Sequence, residues 1–248
     1  MNVIVSGWPG VGQTTLSILL AKTLNFSLLQ GSNTFRYIWA ELDHENTGQD
    51  RIDAEVLQYS WGILYEKYVA WKIMNSDKIV LESDITGFLI NDPKKVYSIF
   101  LKCDYAIRQE RLEKDGRGDD VNVLLKRDKE LGKTYFKQFG AKFLDEKEID
   151  RCYTVVLDNS HLNFEEELFQ VLDSFAKNKK FESIGKETVL LYLSEGKQGL
   201  LSALAENGLI FPLDDIFIEV IKYFKADFEK LPADIKKVIL NKISETGA

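Results

Sequence analysis

Short apolar runs alternate with longer amphipathic stretches over the first 178 residues of this chain. Five runs read as buried strands: Asn2–Ser6, Ser27–Gln30, Lys78–Glu82, Val96–Lys102 and Tyr153–Leu157. Between them, apolar positions recur at helical spacing over Leu16–Leu24, Asn33–Leu42, Ala54–Asn75, Tyr105–Lys114, Val121–Phe139 and Phe164–Asn178. Apolar strands bounded by turns and joined by helices predict a parallel sheet covered on both faces. The fold class expected is α/β, a three-layer α/β/α arrangement around a parallel five-stranded sheet.

The pattern changes after Phe175, where Lys177-Asn178-Lys179-Lys180 forms a charged boundary. Residues 1–178 are read as one domain and residues 179–248 as a helical C-terminal extension or small domain. Within the latter, Glu187–Leu193, Gly199–Glu206, Asp214–Phe224 and Ala233–Ile243 read as short helices punctuated by Gly208 and Pro232. Two uses of this tail stay open: extra packing on the core, or a surface for a protein partner or a second copy of the chain.

Composition narrows the function. A hydrophobic content of 45% supports a proper core, and a net charge of −7 argues against a general nucleic-acid-binding surface. A local basic site for nucleotide phosphates is still allowed. Cys103 and Cys152 are too few for a disulfide framework, and His44 and His161 are isolated, so reduced thiols in a cytoplasmic setting are expected. The chain opens directly on a strand pattern, which predicts no leader, and no apolar stretch reaches membrane-spanning length.

The chemistry is concentrated after the first strand. Gly7-Trp8-Pro9-Gly10-Val11-Gly12-Gln13-Thr14-Thr15 matches the phosphate-binding loop G-x-x-x-x-G-K-[ST] except that Gln13 stands where Lys is required. Gly7, Gly10 and Gly12 permit a tight turn whose amides, with the N-terminus of the next helix, form an anion nest. Pro9 and Val11 complete the loop, Thr14 is placed to bind Mg²⁺, and Thr15 lies within reach of the next phosphate. Gln13 can donate hydrogen bonds over a similar span but carries no charge. Losing a positioned charge of this kind costs about 10²–10³ in rate. The loop makes the expected fold a P-loop NTPase.

Together with the later motifs, the loop resembles the nucleoside-monophosphate kinases, most closely the cytidylate kinase-like proteins of archaea and some bacteria. The resemblance covers about residues 1–178 and carries several expectations. Gln30-Gly31-Ser32-Asn33-Thr34-Phe35-Arg36 is similar to the family's acceptor loop, which implies that Arg36 holds the acceptor's phosphate. In Glu82-Ser83-Asp84, Glu82 keeps the family's acid and is expected near Mg²⁺, whereas Asp84 stands where a second acceptor arginine belongs. An aspartate there is expected to repel a monophosphate unless a metal bridges them, or instead to accept hydrogen bonds from a hydroxyl or an amine. Arg108 and Arg111, three residues apart, Arg117 between two glycines, and Arg127 resemble the lid and its helix, with expected roles over the transferring phosphoryl. Thr134 replaces a second helix arginine, with Lys133 beside it as a substitute. Asp158-Asn159-Ser160 matches a turn near the adenine ring.

The resemblance implies an ATP- and Mg²⁺-dependent phosphotransferase that moves the γ-phosphoryl to a nucleotide or related small acceptor. Three altered charge positions, Gln13, Asp84 and Thr134, support a different reading as well. In it the chain is a catalytically impaired nucleotide sensor that signals through its C-terminal helices. A third reading keeps catalysis and changes the acceptor to a nucleoside or another hydroxyl compound.

Overall fold

The computed structural model describes residues 1–31, 33, 34, 37, 60–90, 92, 95–114, 116, 121–179, 198–223, 229, 236 and 240. All five expected strands are present: β1 (Asn2–Gly7), β2 (Ser27–Gln30), β3 (Ile79–Glu82), β4 (Val96–Lys102) and β5 (Val155–Asp158). They form one sheet in the order β2-β3-β1-β4-β5, and every pairing is parallel. β1 is central and wholly buried, which explains why it reads as a continuous apolar run rather than an alternating one.

Helices cover both faces. On one side lie α1 (Gln13–Leu24) and α7 (Phe164–Lys179). Val3, Val5, Leu28, Val80, Ile99 and Leu101 meet Leu16, Leu20, Leu168 and Val171 there. On the other lie α2 (Ser60–Asn75), α5 (Val121–Phe139) and α6 (Glu146–Cys152). Ile4, Leu29, Leu81 and Phe100 meet Tyr65, Val69, Leu131, Tyr135 and Ile149 there. Neighbouring residues of β1 enter opposite cores, as the two-residue period of a strand dictates. α4 (Tyr105–Lys114) follows β4, and the single-turn α3 (Thr86–Leu89) follows β3.

Two helices lie outside the sequence expectation, α3 and α6. For α6 a signal exists, since the Asp145 side chain accepts from the Glu148 amide at the helix start. Asp145-Glu146-Lys147-Glu148 is thus an Asp-x-x-Glu start signal. Most of the helix expected at Asn33–Leu42, the first turn and more of Ala54–Asn75, all of Glu187–Leu193 and nearly all of Ala233–Ile243 lie outside the described residues.

The described part of the tail packs on the body. A helix over residues 198–206 places Leu200 and Leu204 in the α1/α7 core, and α8 (Leu213–Tyr223) places Ile216 and Val220 in the other. Between them the chain pairs with the open edge of the sheet. The Leu28 amide donates to the Leu209 carbonyl at 2.6 Å, the Phe211 amide donates to the Leu28 carbonyl at 3.3 Å, and Leu28 bridges Ile210 in parallel. Such cover blunts an otherwise unpaired strand edge. No helix among the described residues is long and apolar enough to cross a membrane.

Candidate active site

The loop between β1 and α1 is set by its glycines. Gly10 and Gly12 adopt φ of 85° and 96°, the left-handed region. A Cβ on Gly7 would stand 2.6 Å from Val11 Cγ2 and 2.8 Å from the Leu101 carbonyl, so only glycine lets the loop fold back against β4. The loop's carbonyls are held from behind. Arg108 Nε donates to the Pro9 carbonyl at 2.7 Å. Arg111 Nη1 and Asn159 Nδ2 donate to the Val11 carbonyl at 3.1 and 2.8 Å. Two loop carbonyls, those of Pro9 and Val11, are thus occupied by donors from α4 and the turn after β5, which suits a loop whose amides are to face an anion.

The helix N-terminus then delivers two functional side chains to the end of β3. Thr14 Oγ1 donates to Glu82 Oε1 at 2.6 Å, bringing the two residues expected at Mg²⁺ into direct contact. Gln13 Nε2 donates to Asp84 Oδ1 at 2.7 Å. Tyr135 Oη, from α5, donates to Asp84 Oδ2 at 3.1 Å. Beneath them Ser83 Oγ accepts from Thr86 Oγ1 at 2.7 Å, and Ser6 Oγ donates to the Ser83 carbonyl. Gly31 must be small here too, because its Cβ would stand 2.2 Å from the Glu82 carbonyl.

Two of the three positions altered from the family pattern are therefore coupled. The loop glutamine and the strand-end aspartate are hydrogen-bonded partners, so their changes form one rearrangement rather than two. The third departure behaves differently. Thr134 is buried, and Lys133 points to solvent in an ion pair with Glu130 at 2.7 Å, so Lys133 does not compensate for the missing arginine.

The predicted cations fall into distinct settings. Arg108 and Arg111 do share a face of α4, but that face looks onto the back of the loop. Arg108 is fully buried and grips Asp128 of α5 with both terminal nitrogens, at 2.7 and 2.9 Å. Its guanidinium is committed to the protein and not poised over a phosphoryl group. Arg111 also donates to Asn159 Oδ1 and the Asn159 carbonyl at 3.0 and 2.9 Å. Arg127 is half-buried and close enough to Asp84 to favour its charged form. Arg36 and Arg117 lie outside the described residues.

The sequence reading missed Glu66, Tyr135, Asp128 and Glu167. Glu66 is buried on α2 facing Ser83 and Thr86, and burial, reinforced by the Asp84 charge, pushes its carboxyl up to about 8. Burial also raises Asp84, opposed by hydrogen bonds from Gln13 and Tyr135 and by the Arg127 charge. Glu167 accepts from Asn159 Nδ2 at 3.0 Å and is pushed up to about 7 by burial, against the Asn159 hydrogen bond and the Arg111 charge. For Glu66 the signal was present. With Val69 and Ile73 it lies at i, i+3 and i+7, a carboxyl on an apolar stripe.

A raised carboxyl binds its proton more tightly folded than unfolded. Its contribution to stability is complete below the ordinary carboxylate range and is lost as pH rises toward about 8. Unfolding by urea at pH 5.5 and pH 8 is therefore expected to show the parent losing more than about 1 kcal/mol relative to Glu66→Gln. A difference that does not change with pH would mean that Glu66 is solvated.

Comparison with known proteins agrees with this geometry. A family model described as an AAA domain matches residues 3–130. The cytidylate kinase of Methanosarcina barkeri is 25% identical over 177 residues, covering 70% of this chain and 93% of that enzyme. The cytidylate kinase of Sulfolobus acidocaldarius is 22% identical over 165 residues, covering 65% and 87%. Among solved structures, an uncharacterized protein from Eubacterium ventriosum superposes with a TM-score of 0.52 at 14% identity, over 71% of this chain and 98% of that one. A gluconokinase from Sinorhizobium meliloti 1021 gives 0.50 at 14% identity, over 72% and 93%. These two structures speak for the fold alone. The family match over residues 3–130, with the phosphate loop and the parallel sheet in agreement, shows that this chain belongs to the AAA domain family.

Proposed function

We propose that the chain binds Mg·ATP on residues 7–15 and transfers the γ-phosphoryl to a small acceptor held at the end of β3 between α2 and α5. The observation that carries this reading is the 2.6 Å contact between Thr14 Oγ1 and Glu82 Oε1. A hydroxyl and a carboxylate joined at the mouth of a phosphate loop form the oxygen donor set that Mg²⁺ takes alongside phosphates and water. The bound ion would supply charge neutralisation at the β- and γ-phosphates.

The remaining work falls to this chain's own residues. The loop amides orient the phosphates, and Arg108, Arg111 and Asn159 keep those amides in place by holding the opposite carbonyls. Arg127 is the described cation on the acceptor side. Arg117 keeps the lid role that the family resemblance implies, and the phosphate-holding role implied for Arg36 applies only if the acceptor is a monophosphate. Gln13 gives hydrogen bonds without charge, which predicts a slow enzyme. No protein nucleophile is required, because the acceptor oxygen attacks directly.

A second reading rests on a specific observation, the engagement of Gln13, Arg108 and Arg111 by protein groups. A site whose glutamine and nearby arginines are so occupied suits a nucleotide sensor that binds without turnover.

One experiment separates the two. Mg·ATP binding is measured by calorimetry, and ADP formation is followed with a panel of acceptors for the parent and Gln13→Lys. The expected result is binding by both, turnover by both, and a gain of about tenfold in the variant. This is less than the 10²–10³ of an isolated charge, because the new ammonium shares itself with Asp84. Binding by both with turnover by neither would establish the sensor instead.

A further inference from the structure

We propose that the phosphoryl acceptor is a neutral hydroxyl compound without a phosphate of its own, held by a hydrogen bond from its hydroxyl to the Asp84 carboxylate. The inference rests on the phosphotransferase reading above and names the substrate class of that site.

Position comes first. Asp84 follows β3 and is joined at 2.7 Å to Gln13, the residue at the lysine position of the phosphate loop. It therefore stands beside the end of the phosphate chain, on the acceptor side. Charge comes second. Glu82 ends β3 and Asp84 follows it, so two carboxylates stand at this corner, while Glu66 on the facing α2 keeps its proton at neutral pH and adds no charge. A phosphate dianion within about 4 Å of one ionised carboxylate is disfavoured more than a hundredfold at the effective dielectric of such a site. The described cations do not offset this. Arg108 is committed to Asp128 and Pro9, Arg111 to Val11 and Asn159, and Arg127 already faces Asp84.

Hydrogen-bond complementarity comes third, and it is independent of net charge. The corner presents acceptors. Asp84 receives one donor on each oxygen and retains further lone pairs. Gln13 Oε1 is buried with no hydrogen-bond partner among the described residues. A ligand completing these groups must bring O–H donors. A monophosphate ester at neutral pH brings chiefly acceptors, whereas a molecule with neighbouring hydroxyls brings a donor for Asp84 and a second for Gln13.

The step balances simply. The acceptor oxygen forms a bond to the γ-phosphorus as the bond from that phosphorus to the β–γ bridging oxygen breaks. ADP leaves with the electron pair, and the hydroxyl proton passes to water.

The test uses the full chain with saturating Mg·ATP against nucleosides, free sugars and polyols, and the matching nucleoside monophosphates. The expected result is a kcat/KM at least a hundredfold higher for the neutral class than for monophosphates. Nucleosides leading would identify the ribose hydroxyls as the source, and polyols leading would identify a free sugar. Asp84→Asn should lower kcat/KM for the best acceptor by tenfold or more while the Kd for Mg·ATP moves less than threefold. Asp84→Arg should narrow or invert the preference. A monophosphate turned over faster than its nucleoside overturns the acceptor class and leaves phosphoryl transfer standing. Mg·ATP binding with no ADP formed in the presence of any acceptor overturns the phosphotransferase reading and this inference with it.

Discussion

Arg108→Met is expected to cost about 3–5 kcal/mol of folding stability. The cause is the partner left behind. Arg108 and Asp128 have side chains 0% and 1% exposed, and the fork holds both carboxylate oxygens. Methionine fills the volume of the aliphatic stem but strands a buried carboxylate. It also takes the donor from the Pro9 carbonyl. In a protein of this size each kcal/mol shifts the melting temperature by roughly 2–4 °C, so a drop of about 10 °C is expected. Urea unfolding of Arg108→Met, Asp128→Leu and the double variant forms the cycle that isolates the pair. The double variant should recover most of the loss, since replacing both members of a buried ion pair by apolar groups is often neutral. A loss below about 1 kcal/mol in Arg108→Met would show that the pair opens readily to water. The lid role expected of Arg108 would then return.

Arg108 also marks what local pattern can and cannot reveal. The loop, the five strands and α1 were legible because their signals are short-range: glycine spacing, an apolar run, a helical stripe. That Thr14 and Glu82 belong to one corner was legible from two sources, the loop motif that sets Thr14 toward Mg²⁺ and the family resemblance that sets Glu82 there, although neither gives their direct contact. The roles of the α4 arginines were not. Arg108 and Asp128 are twenty residues apart, on two helices that read as a lid and its following helix. Nothing local tells a buried ion pair from two surface charges. Gln13 and Asp84 read as separate losses because their contact spans 71 positions. The pairing of Leu209–Phe211 with β2 is likewise set by an open sheet edge elsewhere in the fold and not by its own propensity. Glu66 is the opposite case, a polar residue on an apolar stripe whose signal was in plain view.

Thr14→Ala is expected to lower turnover by about 10²–10³, the usual cost of removing one positioned electrostatic group. The parent hydroxyl lies 2.6 Å from Glu82 Oε1. Alanine removes the oxygen that would meet the cation and leaves Glu82 to hold it alone. The Mg²⁺ concentration at half-maximal rate should rise at least about tenfold, since even the loss of an outer partner of a metal ligand costs about that much. Thr14→Ser keeps the oxygen and should stay within a few-fold of the parent in both rate and Mg²⁺ dependence. The folded state should tolerate either change. Thr14 is only half-buried, at the first turn of α1, and the lost hydrogen bond to a carboxylate is worth about 1.5–3 kcal/mol at most. A titration of ADP formation against Mg²⁺, run for the parent, Thr14→Ala and Thr14→Ser, therefore separates function from folding. If Thr14→Ala slows turnover but leaves the Mg²⁺ midpoint unchanged, the hydroxyl positions Glu82 rather than the ion. If neither value moves, the cation lies outside the Thr14–Glu82 pair, and the observation that carries the kinase reading fails.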